Sequence, residues 1–190
     1  SMLIDRVAVV TSPTGEAIQD ILKHLPHIEI LIFGVSVQGE RSAQEIASAI
    51  TRINRLKDKP DVIIVGRGGG AIEDLWSFNE EITVRAIFSS NIPVISAIGH
   101  ETDITISDMV ADYRAPTPTA AGQIIRKIRE DAIMNLKDLS NRLTRQLDHL
   151  TKREGIRLKS LTASLVFTRP YLLTLKWQQR LDDLYLSSER

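Results

Sequence analysis

Between Gly66 and Gln123 the sequence gathers side chains suited to holding phosphate and moving protons. Arg67 stands in Gly66-Arg67-Gly68-Gly69-Gly70, where glycines permit positive φ and close backbone approach. Successive exposed amides in such a run can form an anion-binding nest, and a guanidinium adds a planar fork that matches phosphate. His100 follows in Gly99-His100-Glu101-Thr102-Asp103, three residues before a carboxylate able to orient its ring. An imidazole so placed can accept or donate a proton near neutral pH. Each feature also has a plainer use. Arg67 can face solvent from a tight strand-to-helix turn, and His100 can be a loop donor or a cap. Asp103 can be an N-cap, and Glu73 and Asp74, before Trp76 and Phe78, are read as acids that complement a helix dipole. No Lys-Ser/Thr follows the glycines, which excludes a nucleoside-triphosphate P-loop. Gly66-x-Gly68-x-x-Ala71 matches the dinucleotide fingerprint only loosely, because the next strand ends at Gly99-His100 without the acidic ribose ligand.

The elements that must position these residues alternate. Arg6-Val7-Ala8-Val9-Val10-Thr11 is an apolar strand ending at Ser12-Pro13-Thr14-Gly15, and Ile18, Ile21, Leu22 and Leu25 then follow helical spacing. Ile28 to Val37 reads as a second strand before Gln38-Gly39. Ser42, with Glu45 three residues on, reads as a capping box opening a helix to about Lys57. Asp61 to Val65 is a strand running into the glycine cluster. A helix around Glu80–Ser90 leads to Pro93–Ile98 and on to Gly99-His100. Apolar strands between helices predict β-α-β units and a parallel sheet of about four strands with flanking helices. The polar clusters after the strands then share one carboxyl edge, where open α/β folds place their ligand crevice.

From Pro118 onward the pattern is helical. Ile125, Ile128, Ala132, Leu136, Leu139, Leu143, Leu147, Leu150, Leu158, Leu161 and Leu165 recur in steps near 3, 4 and 4, with Ile125, Leu136, Leu147 and Leu158 each 11 apart. Such a repeat gives a nearly straight or slightly right-handed coil. Residues 118–165 as one helix would run about 70 Å at 1.5 Å per residue. Its stripe has to pack on a returning helix, a second copy of the chain or another protein. Gly155 and Glu154 interrupt it, and Thr168 before Arg169-Pro170 reads as a new N-cap. A helix carrying Leu173, Trp177, Leu181 and Leu184 would then return as a hairpin. The expected organisation is an α/β catalytic domain over 3–115 and a long helical coiled-coil arm over 116–190.

Composition supports the division. The chain has 190 residues and zero formal net charge, but residues 1–113 hold 9 Lys/Arg against 16 Asp/Glu, whereas residues 114–190 hold 15 against 8. A balance of −7 followed by +7 predicts parts with different tasks, the basic part facing a polyanion, an acidic partner or only solvent. Without cysteine there is no disulfide and no Cys-based zinc site. No signal peptide or apolar run of transmembrane length is apparent, so a cytoplasmic location is expected, with no membrane partner.

On Thr11-Ser12-Pro13-Thr14-Gly15, Asp20-Ile21-Leu22, Val37-Gln38-Gly39 and the block Gly66–Gln123, the sequence closely resembles the exodeoxyribonuclease VII large-subunit family. The resemblance covers most of residues 6–123. It implies a bacterial nuclease that degrades single-stranded DNA from either end to short oligonucleotides. It also implies Asp20, Arg67, His100 and Asp103 as the catalytic set. The family's N-terminal OB-like DNA-binding domain is expected to be missing from this chain. Residues 119–190 look like the start of its coiled-coil region, which collects small subunits. Ala71 stands where serine usually follows the glycines, and Phe33-Gly34 replaces a more usual aromatic-proline pair.

Together these readings place a phosphodiester against Arg67 and the Gly68, Gly69 and Gly70 amides, with Thr11, Ser12 and Arg114 as further phosphate or DNA contacts. His100 moves a proton, oriented by Asp103 or Asp20. No cofactor is expected to be obligatory, although Asp20 and Asp103 can recruit Mg²⁺ if they converge. A second reading from another class is an assembly module: the arm docks partner subunits, and the α/β part binds phosphate without turnover. The −7 balance of residues 1–113 is its support.

Overall fold

The computed structural model describes residues 3–68, 72–99, 104–164 and 168–188. The chain divides into two compact units, Ser1–Asn135 and Leu136–Arg190. In the first unit Arg6–Thr11 (β1), Glu29–Gly34 (β2), Val62–Gly66 (β3), Val94–Ala97 (β4) and Tyr113–Arg114 (β5) form one sheet ordered β2-β1-β3-β4-β5. Every pairing is parallel. The helices are Glu16–His24 (α1), Ser42–Asn54 (α2), Glu81–Phe88 (α3), Ile106–Val110 (α4) and Pro118–Thr162 (α5), with a 3₁₀ segment at Ile72–Phe78. The expected parallel α/β sheet is present with one strand more than the four read from the sequence. β5 is two residues long, held by the Ala115 amide donating to the Ser96 carbonyl at 2.7 Å.

Burial on both faces explains why the strands are continuous apolar runs rather than alternating ones. Val7, Val9, Val62 and Ile64 share a cluster with Ile18 and Ile21 of α1 and Ala121 and Ile125 of α5. Ala8, Val10, Ile63 and Val65 point the other way, into Ile46, Ile50 and Ile53 of α2 and Ile87 of α3. Each fully buried isoleucine contributes about 1.5–3 kcal/mol, so these two layers fix the sheet. β2 is the edge strand, and its Ile32 remains half exposed.

α2 does not start with the expected capping box. Glu45 reaches back to accept the Ser36 amide at 2.8 Å, and Ser42 Oγ donates to the Gly39 carbonyl and meets Ser77 Oγ. The turn geometry decides this: Gly39 has φ +91°, a left-handed conformation that places its carbonyl against Ser42. The reciprocal box lies instead on α4, where Thr105 Oγ1 accepts from the Asp108 amide and Asp108 accepts from the Thr105 amide.

The first turns of α5 pack on α1 through small residues. A methyl at Gly122 would come within 2.9 Å of His24 Cβ and 3.3 Å of the Ile21 carbonyl oxygen. Only glycine allows that approach.

In the second unit α5 runs on to Thr162, and Tyr171–Ser188 forms α6. The long helix stands as expected. Among the described residues Leu139, Leu143 and Leu147 of α5 are exposed, as are Trp177, Leu181 and Leu184 of α6.

Candidate active site at the carboxyl edge of the sheet

The strand order reverses at β1, which has β2 on one side and β3 on the other. α1, which follows β1, packs on one face of the sheet, and the 3₁₀ segment and α3, which follow β3, pack on the opposite face, so the loops leaving β1 and β3 diverge and open a crevice. A cavity of about 490 Å³ lies there. Thr11, Ser12, Gly15 and Glu16 form one wall, Ser36, Val37 and Gln38 another, and Arg67 with Gly68 a third.

Arg67 is 4% exposed, an unusual place for a guanidinium. Its amide donates to the Ala97 carbonyl at 3.1 Å, extending the β3–β4 pairing past the strand and fixing the base of the side chain. Thr11, the last residue of β1, is 1% exposed, and its Oγ1 has no hydrogen-bond partner among the described residues. A buried hydroxyl left unpaired costs about 1–3 kcal/mol, a cost a ligand on this wall would remove. Gly15 caps α1 with extended backbone and no side-chain hydrogen bond, so the positive end of the helix faces the cavity uncapped. Gly68 lies against that first turn: a side-chain carbon there would stand 3.7 Å from the Ala17 nitrogen and cover it. A buried cation, an unpartnered hydroxyl and a helix N-terminus on one space are the kinds of group that can hold an anion.

Of the residues expected from sequence, the structure brings together Thr11, Ser12, Arg67 and Gly68. Gly69, Gly70, His100 and Asp103 lie outside the described residues. Asp20 does not line the cavity; it sits where α1 meets α5, with Lys23 Nζ 3.2 Å from Oδ1 and Thr119 Oγ1 donating to Oδ2 at 3.4 Å. Arg114 lies on β5, its Nε 3.9 Å from Oδ2 of the buried Asp108. Asp108 also accepts from Ser96 Oγ at 2.5 Å and from Thr105 Oγ1 at 2.9 Å. These bonds tie β4, α4 and β5 together. Among the described residues no group of three metal-ligating side chains occurs, and no helix is long and apolar enough to cross a membrane.

Three polar lining side chains are not among the site residues read from sequence. Glu16 looks like any acid complementing a helix start, although its place directly after Gly15 was a signal. Ser36 precedes and Gln38 belongs to the Val37-Gln38-Gly39 motif, which marks a loop on this edge but gives those side chains no role.

Comparison with known proteins adds an independent line. The family model for exonuclease VII, large subunit, matches residues 1–190. The exodeoxyribonuclease 7 large subunits of Streptococcus pneumoniae strain Hungary19A-6 and of serotype 19F strain G54 are each 45% identical over 186 residues, 95% of this chain. The chain spans 42% of the length of these curated relatives.

Proposed function

Because the chain belongs to the exonuclease VII large-subunit family, we propose that its crevice binds a phosphodiester of single-stranded DNA for hydrolysis from either strand end to short oligonucleotides. The observation that carries this reading is the pairing of buried Arg67 with the unpartnered Thr11 hydroxyl in one cavity at the sheet's switch point. Arg67 and the Gly68, Gly69 and Gly70 amides hold the nonbridging oxygens and oppose the charge that grows there as the phosphorus is attacked. The Thr11 hydroxyl donates to the same group, and the first turn of α1 adds its dipole. Ser12 lines the approach and Arg114 steadies the strand further along the sheet edge.

His100 supplies proton transfer, either taking a proton from the attacking water or giving one to the leaving oxygen. Asp103 or Asp20 orients it. Mg²⁺ is not an obligatory part of this scheme, and comparing cleavage in EDTA with cleavage in Mg²⁺ reads its contribution directly. The exposed leucines of α5 between Leu136 and Leu161 form the docking stripe for small subunits, with self-association of the arm as the other use of the same face.

The test is cleavage of end-labelled single-stranded DNA by the full-length large subunit assembled with small subunit. Arg67→Ala should remove most of the rate. Near-normal oligonucleotide release by that variant would overturn the phosphate-binding role. A second reading, assembly without turnover by this chain alone, is favoured by the leucine stripe and by Glu16 standing opposite the phosphate's charge in the same cavity. It predicts binding of small subunit without cleavage.

A further inference from the structure

Beside the crevice a second groove of about 440 Å³ runs along edge strand β2 and helix α2. It is continuous with the first through the chain itself: Gly34 and Val35 line the groove, and Ser36, Val37 and Gln38 line the crevice. The Glu45 carboxylate, accepting the Ser36 amide at 2.8 Å, pins the junction. Two exposed arginines, Arg41 and Arg52, line the groove, and neither joins an ion pair among the described residues. The Arg52 guanidinium lies over the Phe33 ring, 5.9 Å from its centroid. Gln44 and Ser48 line it as well, as does Glu45, whose carboxylate is engaged by the Ser36 amide.

We propose that this groove is a nucleotide subsite for the single strand whose phosphodiester occupies the crevice, with one base stacked on the Arg52–Phe33 pair and a neighbouring phosphate held by Arg41. The proposal rests on the reading of the crevice as a phosphodiester site and extends it to the path of the strand. Charge decides the occupant. Residues 1–113 carry a balance of −7, so a groove with two arginines outside any ion pair among the described residues, against the single carboxylate of Glu45, is a local reversal that favours a polyanion. A duplex keeps its bases stacked inside and cannot use the Arg–aromatic platform, whereas a single strand can. A guanidinium plane over an aromatic ring is a stacking surface for any base, so the subsite recognises strandedness rather than sequence. Arg41 adds the salt-dependent part of the grip. The groove thereby compensates part of the repulsion that an acidic unit offers to DNA.

The test uses the full-length large subunit with its small subunit and measures kcat and KM on oligo-dT and on an abasic strand of equal length at two salt concentrations. Both arginines are exposed, so their replacement leaves folding intact. Arg52→Ala should raise KM for oligo-dT about tenfold, within the range expected for one lost base stack, and leave kcat within twofold. It should also shrink the enzyme's preference for oligo-dT over the abasic strand. Arg41→Ala should raise KM on both strands and lower the slope of log KM against log salt by about one. An active enzyme whose KM, abasic discrimination and salt slope ignore both substitutions would overturn the subsite and leave the crevice standing. A full-length wild type that neither binds nor cleaves single-stranded DNA would remove the crevice reading, and this one with it.

Discussion

At the scale of single residues the account turns on Arg67 and Thr11. The Arg67 guanidinium is buried, the buried Thr11 hydroxyl has no hydrogen-bond partner among the described residues, and both line the same cavity. If Arg67 stabilises charge on a phosphoryl oxygen, Arg67→Ala should lower kcat about 10²- to 10³-fold, as removal of one charge-stabilising donor does elsewhere. Arg67→Lys should recover only part of that, because a point charge lacks the planar fork. Thr11→Val is a sharper probe, since it keeps the shape and removes only the hydroxyl. It should raise the melting temperature, by about 2–12 °C if relief of the unpaired group is worth 1–3 kcal/mol, while lowering kcat/KM roughly tenfold. A variant that gains neither stability nor a defect would show that the hydroxyl is not held for a ligand. The sequence exposed these residues through their company: Arg67 between glycines and Thr11 at the end of an apolar run. Glu16 and Ser36 were hidden because nothing local separates a crevice residue from an ordinary loop residue. Asp108 was hidden for a different reason: its Thr105-x-x-Asp108 spacing was a capping signal, but the aspartate's further bonds to Ser96 and Arg114 depend on a strand pairing that two residues, Tyr113 and Arg114, make.

At the scale of elements, β1, β3 and β4 were legible because burial on both faces writes a continuous apolar run into the sequence. β5 was not, since a two-residue strand has no periodicity to read. Helix boundaries followed apolar spacing well for α1, where Ala17, Ile18 and Ile21 are the buried residues. The close approach of α5 to α1 had no sequence signal beyond a glycine at position 122, and two substitutions separate packing from propensity there. Gly122→Ala gains about 1 kcal/mol of helix propensity but drives a methyl to 2.9 Å from His24 Cβ and 3.3 Å from a backbone oxygen. Those atoms are not the tips of flexible chains, so overpacking, typically 1–3 kcal/mol, wins and the first unit should melt earlier. Gly155→Ala meets nothing within 4 Å, so it should stabilise α5 by up to about 1 kcal/mol. Thermal unfolding followed by circular dichroism distinguishes the two. Equal shifts of one sign would mean that the α1–α5 contact is not tight.

At the scale of the whole molecule, the two units differ in how they are stabilised. The first has a core on each face of its sheet, and the second exposes its leucines along α5 and its aromatics along α6. The stripe itself was plain in the sequence; its partner was not, because a periodic apolar face states that something covers it without stating what. If small subunits cover it, Leu143→Asp with Leu147→Asp should abolish their co-purification with the full-length large subunit and leave the melting of the first unit unchanged. Retained assembly would place the docking face elsewhere.

If this chain carries the hydrolytic site of a single-strand exonuclease, cleavage must depend on His100. Full-length large subunit with small subunit, wild type beside His100→Ala, is incubated with end-labelled single-stranded DNA in excess EDTA and in Mg²⁺. The account predicts short labelled oligonucleotides from the wild type under both conditions and their loss, by two orders of magnitude or more on general acid–base grounds, in the variant. Undiminished cleavage by His100→Ala would contradict it.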